Sequence, residues 1–337
     1  MGMYYSITQW LTRRVAYLMR IQVLKSHFSH RSHHGTVLPY DPRTSRGRRQ
    51  VSVRVNRRQA RSLSSIGGNL DLKLRGRFAL VTGSTSGIGA AIAHALAVEG
   101  ATVVVHGRSE ARATAVVESI QKASGSAEWV VGDLSTDEGA RKVIEQALAR
   151  VERIDVLVNN VGGPVEGRVS FFDTTLPEWV DSFSGNALSA IRMIHGLVPA
   201  MKSRGWGRVI QISSRNGISP HANMPSYGAA KAAMNNFTLG LSKELAFSGV
   251  TSNAVMPGLT YTKQLDSYLQ QTARQQGFGN DLEKAKDYVL KNVVRQTVSR
   301  LGDVSDIANY VCYLASPLSD FMTGTVVRID GGSTPTV

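Results

Sequence analysis

Residues 78–89 read Phe-Ala-Leu-Val-Thr-Gly-Ser-Thr-Ser-Gly-Ile-Gly, and this stretch decides the fold. The first part, 78–82, is a short apolar run of the kind that forms a strand buried on both faces of a parallel sheet. Three glycines follow, Gly83, Gly87 and Gly89, and they permit a tight turn. The apolar positions after the turn recur at helical spacing, so the turn leads directly into a helix.

A glycine-rich turn that joins a buried strand to a helix is a binding site for the pyrophosphate of a dinucleotide. The turn lets the phosphates approach the backbone, and the helix N-terminus faces them with its partial positive charge. At the start of a series of strand–helix units this motif is far more specific than glycines alone. We expect contacts to a cofactor from Gly83, Ser84, Ser86, Gly87, Ile88 and Gly89.

The alternation of short apolar strands and amphipathic helices continues to the C-terminus. Strands are predicted at 78–82, 102–106, 129–131, 156–158, 208–213, 250–256 and 325–330. Strands that alternate with helices in this way are typical of α/β proteins. The sequence therefore predicts one domain over 71–337, built on a single doubly wound (Rossmann) seven-stranded parallel sheet with helices on both faces.

Residues 1–70 differ in composition from the rest of the chain. They hold 13 of the 39 lysines and arginines but a single acid, Asp41, and so carry +12 of the net charge of +14. The remaining residues carry only +2. The basic pI therefore says little about what the body of the protein binds. We expect a basic, disordered extension that is not part of the fold.

Three interpretations of this extension remain open. A misassigned start would place the first residue at Leu70, and the protein would then be cytoplasmic. An Arg-rich, Ser-rich and acid-poor segment is also typical of a transit peptide that directs import into an organelle. The third interpretation is an arm that binds nucleic acid, although no nucleic-acid partner is expected for the folded body.

The rest of the composition excludes several classes of protein. A hydrophobic content of 42% provides enough material for a core, so a mostly disordered chain is excluded. The single cysteine, Cys312, falls in a helical run and is predicted to be a small core residue. The histidines of the body show no metal-ligand spacing, so no metal is expected. No stretch approaches the roughly 18 apolar residues of a membrane span.

The end of the second strand distinguishes between the two nicotinamide dinucleotides. An NAD-binding protein usually places a carboxylate about 20 residues after the glycines, where it bonds the ribose 2′-hydroxyl. Here the stretch is His106-Gly107-Arg108-Ser109, which contains no acid. The Arg108 guanidinium can instead pair with a 2′-phosphate. NADP(H) is therefore the preferred cofactor, with NAD(H) as the alternative.

With these features in place, residues 71–337 resemble the short-chain dehydrogenase/reductase family over essentially their whole length. The family's marks occur in order and at family spacing: the glycine turn, Asp133, Asn159-Asn160-Val161-Gly162, Asn186, Ser214, Tyr227-x-x-x-Lys231, Pro257-Gly258 and Asp330-Gly331-Gly332. The resemblance implies an oxidoreductase that transfers a hydride between a nicotinamide and a carbonyl or secondary alcohol of a small substrate.

Tyr227 and Lys231 are the central catalytic candidates. Their i, i+4 spacing puts both side chains on one face of a helix. A tyrosine with its ordinary pKa near ~10 is a poor acid–base group at neutral pH, but a neighbouring ammonium lowers that pKa. Tyr227 is thus predicted to donate the proton in carbonyl reduction and to accept it in alcohol oxidation. The resemblance implies that Lys231 also binds the nicotinamide ribose.

Ser214 and Asn186 complete the predicted catalytic set. Ser214 ends the fifth strand, at the edge where parallel sheets place their ligands, and its hydroxyl can donate to a substrate oxygen as negative charge develops. Ser213 is the alternative at this point, and family spacing favours Ser214. Asn186 matches the family's helix asparagine, which in the family organises a water that connects the lysine to solvent protons.

The resemblance also implies further cofactor contacts. Asp133 and Leu134 would lie at the adenine. The ribose and nicotinamide would meet Asn160, Val161 and Gly162, together with Tyr227, Lys231, Pro257 and Gly258, and the carboxamide would meet Thr260 and Thr262. The family more often has alanine in place of Val161, which leaves only the local fit to the cofactor in question.

Residues 258–300 are predicted to form a lid over the substrate site, because long segments beside a pocket commonly serve that purpose. The segment is polar with few aromatic residues. This composition disfavours a steroid-sized apolar pocket and favours a small carbonyl or sugar-like alcohol as the substrate.

Two alternative functions remain. A 3-oxoacyl-acyl-carrier-protein reductase would need basic residues that attract an acidic carrier, and Lys202, Arg204 and Arg208 could serve, although Ser248 stands where such reductases tend to carry an arginine. A non-catalytic dinucleotide-binding scaffold would normally have lost the catalytic tyrosine or lysine, and both are present. The resemblance also implies a homodimer or homotetramer.

Overall fold

The computed structural model describes residues 70–164 and 169–335, so the predictions made for residues 1–69 lie outside the described part of the chain. The strands are β1 (Phe78–Val81), β2 (Thr102–Gly107), β3 (Ser126–Val131), β4 (Val156–Asn159), β5 (Gly207–Ile212), β6 (Val250–Pro257) and β7 (Val326–Ile329). The α-helices are α1 (Gly87–Val98), α2 (Glu110–Lys122), α3 (Asp137–Arg150), α4 (Leu176–Phe183), α5 (Ser189–Arg204), α6 (Pro225–Glu244), α7 (Gln264–Gln275), α8 (Leu282–Tyr288) and α9 (Val304–Ala315).

The seven strands form one parallel sheet in the order β3-β2-β1-β4-β5-β6-β7. This confirms the predicted doubly wound sheet. The strand order reverses at β1, which pairs with β2 on one side and β4 on the other. The loops after β1 and β4 lead to opposite faces, and the crevice between them is where such sheets bind ligands. Edge strand β3 begins at Ser126, three residues before the predicted start at 129. Its first part, which includes Ser126 and Glu128, pairs with β2 but is not an apolar run, so the sequence pattern did not reveal it.

Alternate residues of each central strand enter two separate cores, as a sheet covered on both faces requires. In β1, Ala79 and Val81 pack with apolar residues of α1, α2 and α9. Leu80 points the other way and packs with residues of α3 and α5. Cys312 of α9 is buried in the first core, as predicted. None of the described helices combines the length and the hydrophobicity that a bilayer crossing needs.

The basic residues considered for an acidic carrier protein lie at the wrong edge of the sheet. Arg208 is the second residue of β5, at the end opposite to the catalytic candidates, and it is 1% exposed. Its guanidinium donates to the carbonyl oxygens of Ser316, Gly207 and Gly249. Arg204 donates to a backbone carbonyl and Lys202 pairs with a glutamate at this same edge. The prediction that these side chains serve the active-site mouth is therefore wrong.

The segment between β6 and α9 folds into a small helical unit with an apolar cluster of its own. Helix α7 is followed by α8, whose N-cap Asp281 accepts a hydrogen bond from the Lys284 amide, and then by a π-helical turn, Val289–Val293. Leu265 and Leu269 of α7 pack against Val289. This unit forms one wall of the cavity described next.

Candidate active site

The glycine turn adopts the conformation that its sequence predicts. Gly83 and Gly87 have φ angles of 63° and 56°, in the left-handed region that favours glycine. A Cβ at Gly89 would overlap the Gly83 carbonyl oxygen and the Asn160 amide nitrogen. The first two glycines therefore permit the turn, and the third permits α1 to pack closely against it.

The N-terminus of α1 offers backbone donors to an anion. Its N-cap residue, Ser86, makes no side-chain capping bond, and the first turn of the helix carries no acidic side chain. The amides at a helix start lack partners within the helix and carry partial positive charge. This donor set, together with the cradle that a Cβ at position 89 would fill, fits a pyrophosphate.

Side chains from the neighbouring strands hold the turn in place. The Asn160 side-chain amide, just after β4, donates to the carbonyl oxygens of Thr82 and Gly83, at 3.0 Å in each case. The Thr82 hydroxyl oxygen accepts from the backbone amides of Asn160 and Val161. Asn160 therefore acts through its side chain on the turn, although the resemblance implied a direct contact with the cofactor.

His106, the fifth residue of β2, holds the turn from the opposite side. The Gly83 amide donates to His106 Nδ1 at 3.0 Å, and Nε2 lies 3.2 Å from the Gly132 carbonyl oxygen. The residue is 2% exposed, and burial lowers the pKa of its imidazole to about 4. The sequence-based prediction gave this residue no role, although its place directly before Gly107-Arg108 was a signal that it lies at the edge of the cofactor site.

Two predicted cofactor contacts are corrected because their side chains are buried. Ser84 is 0% exposed, and its hydroxyl donates to the Val81 carbonyl oxygen while it accepts from the His106 amide. Leu134 is 2% exposed and belongs to the core beneath α3 and α5. Only the backbone groups of these two residues could contact a cofactor.

Arg108 and Asp133 lie at the exposed carboxyl ends of β2 and β3. Both side chains are exposed, and the charge of Arg108 contributes to a lowered pKa at Asp133. The larger cause of that lowering is the hydrogen bond from the Ser135 amide to the carboxylate. A guanidinium and a carboxylate thus face solvent where the adenosine half of a dinucleotide would extend from the turn.

Tyr227 and Ser214 meet at the carboxyl edge of the sheet. Tyr227 lies in the first turn of α6, and its phenol is close enough to the Ser214 hydroxyl for this group to lower the pKa of the phenol. Burial raises the pKa of the phenol, and the Ser214 hydroxyl opposes that effect. At neutral pH the tyrosine is therefore protonated, which is the form that can donate a proton.

The structure distinguishes between the two adjacent serines. The Ser213 hydroxyl is buried and donates to the Lys231 carbonyl oxygen at 3.2 Å, so its proton is engaged by the backbone of α6. Ser214 is the residue whose hydroxyl reaches Tyr227.

Lys231 is buried one helical turn after the tyrosine. Its Nζ donates to the Ile212 carbonyl oxygen at 2.9 Å and lies 5.7 Å from the centre of the Tyr227 ring. The side chain is 2% exposed, and burial lowers the pKa of the amine to about 7. No carboxylate forms an ion pair with it among the described residues, so the stabilisation of its charge depends on backbone oxygens and on groups that enter the cavity.

Asn186 lies in a π-helical turn, Ser184–Leu188, between α4 and α5. Its Oδ1 accepts from the Gly163 amide at 2.9 Å, and its Nδ2 donates to the Gly163 and Ser182 carbonyl oxygens. A Cβ at Gly162 would overlap Asn186 Oδ1 and lie 3.0 Å from Lys231 Nζ. Asn186 therefore fixes the backbone beside the lysine, and π-helical turns of this kind are frequent at functional sites.

A cavity of about 390 Å³ brings together the turn, the catalytic candidates and the first part of the segment 258–300. It is lined by Ser214, Tyr227 and Lys231, and by predicted cofactor contacts from three loops, namely Ile88, Asn160, Gly162, Pro257, Gly258, Thr260 and Thr262. Leu259, Gln264, Leu265 and Tyr268 also line it, and they lie within the segment 258–300 that the sequence predicted beside the substrate site. Within the described part of the lining, Lys231 is the one side chain that can carry a charge near neutral pH.

Gly89→Ala tests the close packing of α1 on the turn. We expect cofactor affinity to fall by at least about tenfold and the unfolding free energy to fall by about 1–3 kcal/mol, because the added methyl displaces Gly83 and Asn160. Gly240→Ala is the matched control, because nothing lies within 4 Å of a Cβ at that site on α6. The control should stabilise the helix by about 0.5–1 kcal/mol. Equal effects of the two substitutions would contradict the assignment.

Comparisons with known proteins agree with this geometry. A model of the short chain dehydrogenase family matches residues 77–273. Over 264 residues the chain is 34% identical to the 3-oxoacyl-[acyl-carrier-protein] reductase of Aquifex aeolicus, which covers 78% of this chain and 99% of the relative.

Two solved structures extend the comparison. L-sorbose reductase from Gluconobacter frateurii, solved with NADPH and L-sorbose, matches with a TM-score of 0.75 and 28% identity over 80% of this chain and 100% of the other. Gluconate 5-dehydrogenase from Burkholderia cenocepacia, in complex with NADP and tartrate, matches with a TM-score of 0.70 and 29% identity over 79% and 98% of the two chains.

Proposed function

The chain belongs to the short-chain dehydrogenase family, and from this premise we propose that it reduces a small, neutral polyhydroxy ketone with NADPH, and catalyses the reverse oxidation. It is an oxidoreductase of carbonyl and alcohol groups that uses NADP(H), with NAD(H) as the alternative cofactor. The observation that carries the proposal is the cavity in which Tyr227 and Ser214 adjoin the glycine turn, and whose other described walls combine apolar side chains with uncharged polar groups.

We propose the following roles for the residues around the reacting carbonyl. Ser214 and Tyr227 bind the substrate oxygen, because the two residues line the same cavity and their hydroxyls are close enough to influence each other. Bound NADPH supplies the hydride. Tyr227 then donates its proton to the oxygen as negative charge develops, and Lys231 stabilises the phenolate that remains. Asn186 positions the backbone beside Lys231 through its bonds to Gly163.

The preference for NADPH is assigned to Arg108. Its guanidinium can form paired, charge-assisted bonds with the 2′-phosphate, whereas the stretch 106–109 offers no carboxylate to a free ribose. The relatives solved with NADPH and with NADP support this assignment.

Arg108→Ala should weaken NADPH binding by at least about tenfold and leave NADH binding within about twofold, because a charge-assisted pair contributes about 1.5–3 kcal/mol. The measurement is a titration with each cofactor, followed by its fluorescence. Arg112→Ala on the exposed face of α2 is the matched control and should change neither affinity. Tighter binding of NADH than of NADPH by the wild-type protein would contradict the assignment.

The substrate class follows from the cavity walls. Beside the apolar Leu259 and Leu265, Gln264 and Tyr268 offer amide and hydroxyl groups, and the described lining has no guanidinium for a substrate carboxylate. Hydroxyl-rich substrates pair with such groups, and a site built for them rejects apolar analogues strongly. We therefore place neutral ketoses ahead of keto acids, steroids and acyl thioesters.

A panel of ketoses, keto acids and an acetoacetyl thioester, each with NADPH, tests the substrate class. The proposal expects the highest kcat/KM with a ketose and reaction in reverse with the corresponding polyol. A highest kcat/KM with the thioester would replace it with the second candidate, a 3-oxoacyl-acyl-carrier-protein reductase. That candidate is favoured by the 34% identity to the Aquifex aeolicus enzyme. Lys202, Arg204 and Arg208 do not support it, because they lie at the edge of the sheet opposite to the cavity.

We propose a homodimer or homotetramer as the assembly and the cytoplasm as the location. Exposed apolar side chains on and before α4, including Phe172 and Leu176, support an interface between copies of the chain.

The mass of the N-terminus of the native protein tests the location, because import into an organelle becomes the alternative if residues 1–70 are part of the translated chain.

A further inference from the structure

His106 is a fully engaged, buried imidazole at the rim of the cofactor site. Its two ring nitrogens bond to two different loops: Nδ1 to the amide of Gly83 in the glycine turn, and Nε2 to the carbonyl oxygen of Gly132 after β3. Its own backbone amide and carbonyl oxygen bond to the hydroxyl and the amide of Ser84. One residue of β2 thus connects the ends of three adjacent strands.

These partners determine the protonation state of the ring. An amide N–H can only donate, so Nδ1 must accept and carry no proton. A carbonyl oxygen can only accept, so Nε2 must carry the proton. Together the two contacts select the neutral Nε2–H tautomer, because the Gly83 amide excludes a proton on Nδ1 and the Gly132 oxygen requires one on Nε2. Burial also disfavours the imidazolium, and it outweighs the bond to the Gly132 carbonyl oxygen and the charge of Asp133, both of which raise the pKa of the ring.

The backbone of Gly83 is hydrogen-bonded by side chains on both sides of the turn. His106 accepts from the Gly83 amide, and Asn160 donates to the Gly83 carbonyl oxygen from the other side. Gly83 has a positive φ of 63°, so the turn could relax into other conformations if one of these bonds were lost. The position of the amides that face the pyrophosphate therefore depends on side chains from β2 and from the loop after β4.

We propose that His106 is a positioning residue for the dinucleotide: through its bond to the Gly83 amide it sets the pyrophosphate turn, whereas its contact with Gly132 selects the tautomer that can accept that bond. It acts on cofactor affinity and not on the proton or hydride step, because the catalytic cavity is lined by other residues. This inference rests on the proposed use of NADP(H).

Three substitutions separate the two contacts of the ring. In His106→Asn the amide oxygen stands at the same bond distance from Cα as Nδ1, so the bond to Gly83 is kept and that to Gly132 is lost. His106→Gln carries its amide one bond further, which favours Gly132 and leaves the Gly83 amide unpaired. His106→Ala removes both contacts. His195→Ala, on the exposed face of α5, is the matched control.

The readouts are the Kd of NADPH from cofactor fluorescence and kcat at saturating NADPH. We expect the alanine and glutamine variants to raise Kd by about tenfold, because a buried amide loses its acceptor. The asparagine variant should stay within about threefold of wild type, and kcat should stay within about threefold for all variants. The proposal is overturned if the alanine and glutamine variants bind as tightly as wild type, if asparagine fails to rescue affinity, or if kcat falls while Kd does not change.

A second measurement requires no substitution. The ¹⁵N chemical shifts of the His106 ring in the cofactor-free protein at pH 7 should show an unprotonated Nδ1 and a protonated Nε2. An imidazolium or the Nδ1–H tautomer would overturn the proposal even if a variant did not fold. Failure of the proposed function is distinguishable, because wild-type protein would then not bind NADPH although the tautomer remained as expected.

Discussion

Tyr227→Phe should lower kcat by about 10²- to 10⁴-fold and leave the Kd of NADPH within about twofold, because it removes the proton donor and little else. Phenylalanine keeps the ring that lines the cavity, and the lost hydroxyl is the group that lies close to the Ser214 hydroxyl. The measurement is steady-state reduction of a ketose at saturating NADPH, together with a cofactor titration. Tyr310→Phe on α9, far from the cavity, is the matched control and should retain wild-type kcat.

The pH dependence of the two directions follows from the same residue. Burial raises the pKa of the Tyr227 phenol, so reduction has its proton donor at neutral pH, whereas oxidation needs the phenolate. We expect the rate of alcohol oxidation to rise with pH through the alkaline range, and Tyr227→Phe should abolish that rise. A phenylalanine variant with wild-type kcat would favour the non-catalytic scaffold, or a different acid.

Lys231→Met should produce a comparable loss of kcat and should also change how stability depends on pH. Burial lowers the pKa of this amine from 10.5 to about 7. Between these two values the unfolded chain binds more protons than the folded protein, so the stability contributed by this group rises with pH across that window. Methionine does not titrate, so the variant should lose this rise, which is on the order of a few kcal/mol over the full window.

The check is the free energy of unfolding of the cofactor-free protein, measured from denaturant curves between about pH 7 and 9.5. Lys243→Met on the exposed end of α6 is the matched control and should leave the pH dependence unchanged. The role of Lys231 would be contradicted by a methionine variant that keeps wild-type kcat. An unchanged slope of stability with pH would show instead that the amine is not desolvated in solution.

The sequence alone determined the fold and the placement of the candidate pair Tyr227 and Lys231 on one helix, because both follow from local patterns. A strand buried on both faces needs an uninterrupted apolar run, and a helix that covers the sheet needs apolar residues at a period near ~3.6. The order of strands and helices can therefore be predicted without knowledge of tertiary contacts. The spacing of Tyr227 and Lys231 fixes a shared helix face by geometry alone. The absence of an acid near Arg108 is likewise a local fact.

Only the tertiary structure decided which neighbouring side chains face the site. The Ser213 hydroxyl bonds to the backbone of α6, whereas Ser214 lies beside Tyr227. The side chains of Ser84 and Leu134 are buried. These outcomes could not follow from the sequence, because the direction of a side chain at a strand end depends on partners far away along the chain.

His106 shows the same limit most clearly. Its contacts with Gly83 and Gly132 join residues that are 23 and 26 positions away, and neither bond leaves a trace in composition or periodicity. A histidine on an apolar strand is compatible with many partners, and the fold selects one pair by placing three strand ends side by side. The sequence determined that a dinucleotide-binding sheet would form, whereas burial and non-local hydrogen bonding decided which side chains hold its glycine turn.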